Sequence, residues 1–321
     1  MTAATSDLAG RQYGFAIPQM FLGEQADMSL VRDVVCRAEA LGFESLWGVE
    51  ITLSAEAVLE PIGTLAYVAA LTERARLGVS VIVSTLHNPV QLAKDLSSLD
   101  NLCGGRLIAG LGIGVMYARP GVPAEADYPA FGITKEGRIS RFEESLRVMR
   151  ALWSEKAPEL KGRFNQLGGV QMTPKPLQAH LPVWLGGGHP NTLRRAVRMA
   201  DGYMGAGGGS TADFRTQVTG LREELDAAGR DPATFPLSKR VYLHVDDDEK
   251  RAEQTLATFF KAFYGGDPEL AANFAVFGSK ERVAEGLAEV FDAGAGMVML
   301  NPVAQQREQL EILAEMVGLK K

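Results

Sequence analysis

Two cysteines in 321 residues, Cys36 and Cys103, stand far apart and in no CxxC or Cys/His cluster. That spacing excludes a disulfide framework and a zinc-ligand motif, and a reducing compartment fits it best. Basic residues are also in deficit: 33 Lys and Arg face 39 Asp and Glu, for a net charge of -6. Such a chain offers no positive field to a polyphosphate backbone, so nucleic acid is not an expected partner. Long hydrophobic runs are missing too, since none approaches the roughly 20 residues a membrane helix needs. The stretch Met1 to Gly14 is small and polar and lacks an apolar signal core. The expectation is a soluble cytoplasmic protein with no membrane partner, no metal, and a loose terminus over residues 1–12.

Apolar residues make up 46% of the chain and charged residues 22%, a balance that can bury a large core and that excludes wholesale disorder. Short apolar runs alternate with longer stretches of helical period, the signature of βα units around a parallel sheet. The runs are Tyr13 to Pro18, Ser45 to Glu50, Leu77 to Val83, Arg106 to Leu111, Pro182 to Leu185, Gly202 to Met204, Ser238 to Val245 and Gly296 to Leu300. Leu30, Val34, Ala38 and Leu41 fall on one face of the first helical segment, which Gly42 stops. Val283, Leu287, Val290 and Phe291 do the same before the last run, with Ser279 placed as cap. Eight strand-helix pairs predict a closed (β/α)8 barrel in a single domain, ranked above a doubly wound sheet. After the fourth run no helix begins until about Gly137, and so long a loop is usually functional. Lys161 to Pro176 reads as an excursion with a short hairpin.

The run Gly110-Leu-Gly112-Ile-Gly114-Val115 is not a dinucleotide fingerprint, because Val115 stands where the third glycine belongs and no helix follows at once. Glycines such as Gly112 at a strand's C-terminal mouth would let a flat ring approach the backbone; otherwise they make a turn. Gly186-Gly187-Gly188-His189-Pro190-Asn191-Thr192 joins a strand end to a helix whose first amides are free and whose dipole favours an anion. The expected ligand is a phosphate held by Gly187, Gly188, His189 and Thr192, the competing reading being that Asn191 or Thr192 only caps the helix. Arg194 and Arg195 read as solvated, and Trp153 and Trp184 as packing against helices. Glu50 ends the second strand, as an acid, a ring acceptor or a solvated carboxylate. Trp47 is a candidate for lining a ring pocket. Tyr117 in the long loop and His244 in the seventh strand are candidate substrate contacts, whereas His87 and His180 read as loop or capping residues.

The order of segments resembles the bacterial luciferase-like family of flavin and deazaflavin oxidoreductases over nearly the whole chain. The likeness rests on Ala38-Glu-Ala-Leu-Gly-Phe-Glu-Ser-Leu-Trp47, Arg76-Leu-Gly-Val-Ser-Val-Ile-Val83 with His87-Asn-Pro89, and Leu99-Asp-Asn-Leu-Cys-Gly-Gly-Arg-Leu107 leading into the Gly110 run. Gly162-Arg-Phe164, Pro174-Lys-Pro176, Pro182-Val-Trp-Leu-Gly-Gly187, Ala200-Asp-Gly-Tyr203 and Ala293-Gly-Ala-Gly296 extend it. Any one of these motifs is weak, and together they are specific.

The resemblance implies an α/β TIM barrel of the bacterial luciferase-like type, with insertions after strands 4 and 5. It further implies FMN or coenzyme F420 at the C-terminal mouth, hydride transfer or oxygenation at the ring, and a homodimer. It also implies a cis peptide between Ser80 and Val81, with Val81 against the ring's face. Two departures stand out: Ile51 replaces a histidine common after the acidic residue of strand 2, and Val115 replaces a glutamate common after strand 4 in deazaflavin-dependent members. A standard His/Glu acid-base pair therefore cannot be carried over. F420 is favoured over FMN by the Ala-, Gly- and Arg-rich composition and the compact chain. The leading expectation is an F420-dependent oxidoreductase acting on a small organic substrate. An FMN-dependent monooxygenase or reductase and a noncatalytic flavin-binding protein are the alternatives.

Overall fold

The computed structural model describes residues 8–114, 118, 120–265 and 273–319. Eight parallel strands close on themselves: β1 (Gln12–Ala16), β2 (Ser45–Gly48), β3 (Arg76–Val79), β4 (Leu107–Gly112), β5 (Val183–Gly186), β6 (Gly202–Gly205), β7 (Leu237–Val245) and β8 (Met297–Pro302). Each pairs with the next in sequence, and β8 pairs with β1 through Gln12 opposite Met297, so no barrel edge is left open. All eight runs read from the sequence are strands, and the barrel they predict is the fold.

The helices follow the same local chemistry. Helix α1 (Met28–Leu41) starts where Asp27 accepts the N–H groups of Ser29 and Leu30, and it stops at Gly42 with φ 95°. Helices α2 (Pro61–Ala69) and α3 (Pro89–Leu102) each begin with proline behind a capping side chain, Glu60 and Asn88. Then come α4 (Arg138–Ser154), α5 (Pro190–Met199), α6 (Thr211–Ala227), α7 (Glu249–Tyr264), α8 (Lys280–Asp292), which Ser279 caps, and α9 (Gln306–Met316). Among the described residues, one long helix follows each strand; a short helix, Asp127–Ala130, also lies in the loop before α4, where none was expected before about Gly137, and α7 is extra, placed between β7 and α8.

Inside the barrel, Trp47 and Trp184 lie with ring centroids 5.5 Å apart, packed with Ile108, Met204, Met297 and Met299. Glycines on the neighbouring strands make room for both indoles. A β-carbon on Gly78 would fall 2.4 Å from Trp47 and one on Gly202 2.6 Å from Trp184.

Four expectations are corrected here. Trp47 fills the barrel interior, its Nε1 donating to Ser45 Oγ at 2.8 Å, and it does not line a ring pocket. Trp184, expected to pack against a helix, joins it there among strand residues. No insertion follows β5, because three residues separate it from α5; the hairpin Glu159–Lys161 with Gln166–Gly168 precedes β5, and the added helix follows β7. Of the segment expected to be loose, Leu8 is fully buried and its carbonyl accepts from Tyr13 Oη at 3.0 Å, which ties residues 8–12 to the barrel. No helix among the described residues is long and apolar enough to cross a membrane.

Candidate functional site

The C-terminal ends of the strands surround a cavity of about 1040 Å³. Ligand pockets typically span about 300–1000 Å³, so this one has room for a multi-ring cofactor beside a second small molecule.

One wall is a break in the third strand. The Ser80–Val81 peptide is cis, as the resemblance implied, and the strand resumes at Ile82–Val83, where Val83 pairs with Gly112 of β4. Two glycines on β4 admit this turn of chain: a β-carbon on Gly110 would meet Val79 O at 1.7 Å, and one on Gly112 would meet Val81 Cγ2 at 2.5 Å. On the other side Gly186 would bring a β-carbon within 3.1 Å of Val81 Cγ1. Val81 is thereby seated between β4 and β5, and with Ser80 and Gly112 it lines the cavity.

The acidic group at the mouth is Glu50, its side chain almost wholly buried (3% exposed). Its Oε1 lies 2.7 Å from His87 Nε2 and accepts from Thr52 Oγ1 at 3.2 Å, and its Oε2 accepts from the Val83 N–H. The solvated-carboxylate reading of Glu50 is thereby excluded. His87, on the turn after the third strand, had read as a loop or capping residue, yet it supplies the imidazole that Ile51 does not. Burial pushes the His87 pKa down, but the hydrogen bond and charge of Glu50, with Glu60 and Asp95 behind it, more than offset that and raise it. The His87-Asn-Pro triplet at a strand's C-terminal end was the signal available in the sequence.

Gly187, Gly188, His189 and Thr192 form the opposite wall at the start of α5. His189 caps the helix, its Nδ1 accepting from Asn191 N at 3.1 Å, so neither Asn191 nor Thr192 is the cap. Among the described residues, no protein group accepts from the N–H groups of Gly188 and His189. Gly187 adopts φ 122°, and the one proton of Tyr203 Oη is shared between Gln217 Oε1 at 2.7 Å and the Gly187 carbonyl at 3.1 Å, which ties the cradle to α6. Arg195 is not solvated: it is buried and paired with Glu143 at 2.9 Å. Arg194 is exposed.

Further parts of the lining escaped the sequence reading. Gly207, Gly208 and Gly209 lie between β6 and α6, above the buried Lys239, whose Nζ donates to the carbonyls of Ala206 and Gly209. Burial lowers that amine to about 8, against the charge of Asp213, which raises it, and with the charge of Arg240 lowering it a little further. Arg240 and Tyr242 of β7, with Phe260 and Tyr264 of α7 and Phe274 beyond it, complete the enclosure. The glycine run after the sixth strand was legible as a signal; the aromatic wall was not, because its members are far apart in sequence.

His244, expected as a substrate contact, is buried at the end of β7 and does not line the cavity. Burial lowers its pKa, with Asp246 acting in the opposite sense. Tyr117 and Val115 lie outside the described residues.

The cavity fits a phosphorylated ring cofactor on the chain's own features. It has, among the described residues, two unclaimed N–H donors at a helix start and a glycine-lined approach to an apolar floor.

A sequence model of the luciferase-like monooxygenases matches residues 15–271. An F420-dependent glucose-6-phosphate dehydrogenase of Kineococcus radiotolerans is 32% identical over 190 residues, 59% of this chain and 54% of that protein, so the chain spans about half the length of that curated relative. A 5,10-methylenetetrahydromethanopterin reductase of Methanolobus tindarius is 24% identical over 233 residues, 73% of this chain and 67% of the other. Among solved structures, an F420-dependent secondary alcohol dehydrogenase with an F420-acetone adduct superposes at TM-score 0.81 and 18% identity, covering 97% of this chain and 99% of that one. The match runs from inside β1 past the extra helix α7 and takes in seven of the eight barrel strands, the strand break and the glycine-lined floor, leaving β8 and Phe274 beyond its end: the chain belongs to the luciferase-like monooxygenase family.

Proposed function

We propose that this protein is an F420-dependent oxidoreductase that moves a hydride between the deazaflavin and a small organic substrate. The observation that carries the reading is one cavity holding an anion cradle, an apolar ring floor and a buried carboxylate–imidazole pair. The F420-dependent relatives support it. When bound, F420 supplies a carbon centre that accepts or donates hydride.

The chain's own groups do the rest. Gly188 and His189 present N–H donors to a phosphate, and Val81, flanked by Gly112 and Gly186, gives the ring an apolar surface. Glu50 reaches the cavity wall, where its carboxylate takes the hydroxyl proton as an alcohol is oxidised, or returns one as a carbonyl is reduced. His87 lies behind it, holds Oε1, and passes the proton outward through its more exposed ring. Tyr242, Phe260 and Tyr264 keep water from the reacting face. The proposal includes a homodimer in the cytoplasm, for which light scattering on the purified protein tests the dimer.

Separate titrations with F420, FMN and NADPH, followed by absorbance and fluorescence, test the cofactor. F420 alone should bind tightly; its oxidised form should lose absorbance when a substrate alcohol is added, and its reduced form should regain it when an imine or enone is added, both without O₂ uptake. FMN binding with substrate-dependent O₂ consumption would replace this reading by a monooxygenase. Cofactor binding with no absorbance change across that panel would make the protein a noncatalytic carrier.

A further inference from the structure

Arg240 stands on β7, 5% exposed, and its side chain crosses the barrel to the broken strand, where Nη1 donates to Ser80 O at 3.1 Å. Its guanidinium carbon sits 5.4 Å from the Tyr242 ring centroid. Nε is buried without a hydrogen-bond partner, and among the described residues no carboxylate pairs with the side chain. A guanidinium stays charged when buried, so a site that leaves it without a counter-ion is incomplete. One carbonyl and one aromatic face compensate only part of that charge.

The acidic groups on the same cavity are engaged elsewhere. Glu50 is held by His87 and Val83, Asp213 is held in the cap of α6 by Ser210, and Asp127, the third acid on the cavity, has an interaction of its own and forms no ion pair with Arg240. Beside Arg240 the wall is aromatic: Tyr242, Phe260, Tyr264 and Phe274 all face the cavity, with the two tyrosine hydroxyls 2.6 Å apart. The Phe260 and Phe274 rings meet edge to face at 4.9 Å. A flat apolar body suits that wall, and an anion suits the guanidinium.

We propose that the Arg240 corner binds the carboxylate of an aromatic or similarly flat, apolar carboxylic acid, which is the substrate class of this site. The inference rests on the functional reading above for the use of this cavity, but not on the identity of the cofactor. The same anionic chemistry is offered by the polar edge of a reduced cofactor ring, so the test separates the two sources.

The cofactor-free protein is titrated by calorimetry with trans-cinnamate and with its neutral isostere trans-cinnamamide, in wild type, Arg240→Lys and Arg240→Met. Cinnamate should bind wild type at least about tenfold tighter than the amide, as expected for a charge-assisted bond. Arg240→Met should erase that preference and Arg240→Lys should keep part of it, because an ammonium lacks the guanidinium's fork. Affinity for F420, in its oxidised and its reduced form alike, should stay within about threefold of wild type in Arg240→Met. Equal binding of acid and amide by wild type would overturn the proposal, as would a preference retained in the methionine variant. A loss of F420 affinity as large as that of cinnamate would assign Arg240 to the ring and overturn it equally. Should Arg240→Met fail to fold, an undiminished cinnamate preference in Arg240→Lys is the refuting result. Failure of F420 to bind, with the cinnamate preference intact, would sink the functional reading and leave this one standing.

Discussion

The Glu50–His87 contact should show itself as a pH-dependent coupling. At 2.7 Å and an effective dielectric of about 20, the bare attraction of a carboxylate and an imidazolium is about 6 kcal/mol. Burying both groups cancels most of it, and the net worth of a hydrogen bond between charged partners is about 1.5–3 kcal/mol. Because the folded protein raises the His87 pKa above its ordinary 6.5, the imidazolium contribution is fully present below that value. It is lost as pH rises through the raised folded value. Glu50→Gln can still accept from Val83 N, but its amide then faces His87 Nε2 and demands a neutral ring. Urea denaturation of wild type, Glu50→Gln, His87→Gln and the double variant, at pH 5.5 and at pH 9, isolates the pair from every other titrating group. The coupling should be larger at pH 5.5 by about 1–2 kcal/mol. A coupling that is equal at both values, or larger at pH 9, would refute the argument that charge, and not packing, joins these two residues.

Glu50→Gln should retain cofactor binding while single-turnover hydride transfer slows by about tenfold to a hundredfold, the low end of what a proton donor supplies; an unchanged rate would remove Glu50 from the chemistry. Gly188→Val would set a β-carbon 2.5 Å from Gln217 Nε2 and fill the cradle. Fluorescence titration should therefore find cofactor affinity down about tenfold or more, while denaturation finds a cost nearer 1 kcal/mol from the disturbed Tyr203–Gln217 bond. Gly110→Ala would press its methyl to 1.7 Å from Val79 O, a backbone atom that cannot rotate aside, so loss of several kcal/mol, about 3 or more, is expected by denaturation. Lys239 has its pKa lowered to about 8 by burial, so above that value the unfolded chain binds more protons than the folded one, and this residue adds stability between about pH 8 and 10.5. Lys239→Met should flatten that rise in a plot of unfolding free energy against pH, and an identical slope in both proteins would contradict it.

The barrel was legible because it is written in local periodicity. Alternating apolar runs and helical faces fix strand and helix in turn, and capping residues such as Asp27, Glu60, Asn88 and Ser279 mark where helices start. The helix start proposed as a phosphate cradle was legible for the same reason, since Gly187, Gly188 and His189 lie next to one another at a strand-to-helix junction. The cis bond before Val81, and with it the proposed ring floor, came through resemblance and from no composition rule.

Tertiary structure alone decided which distant groups meet. Glu50 and His87 are 37 residues apart, and the imidazole missing at Ile51 returns from another strand's end only when the barrel closes. Arg240 reaches Ser80 across 160 residues, and no local pattern records that it arrives without a counter-ion. Trp47 misled the sequence reading for a related reason. Period-2 alternation shows that a side chain points inward, but its depth in the barrel depends on Gly14, Gly78 and Gly202, small residues on neighbouring strands that leave the indoles their volume. Sequence determines what each segment can be, because those forces act within a few residues. The site's chemistry follows from through-space contacts, and those exist only once the eight strands have closed.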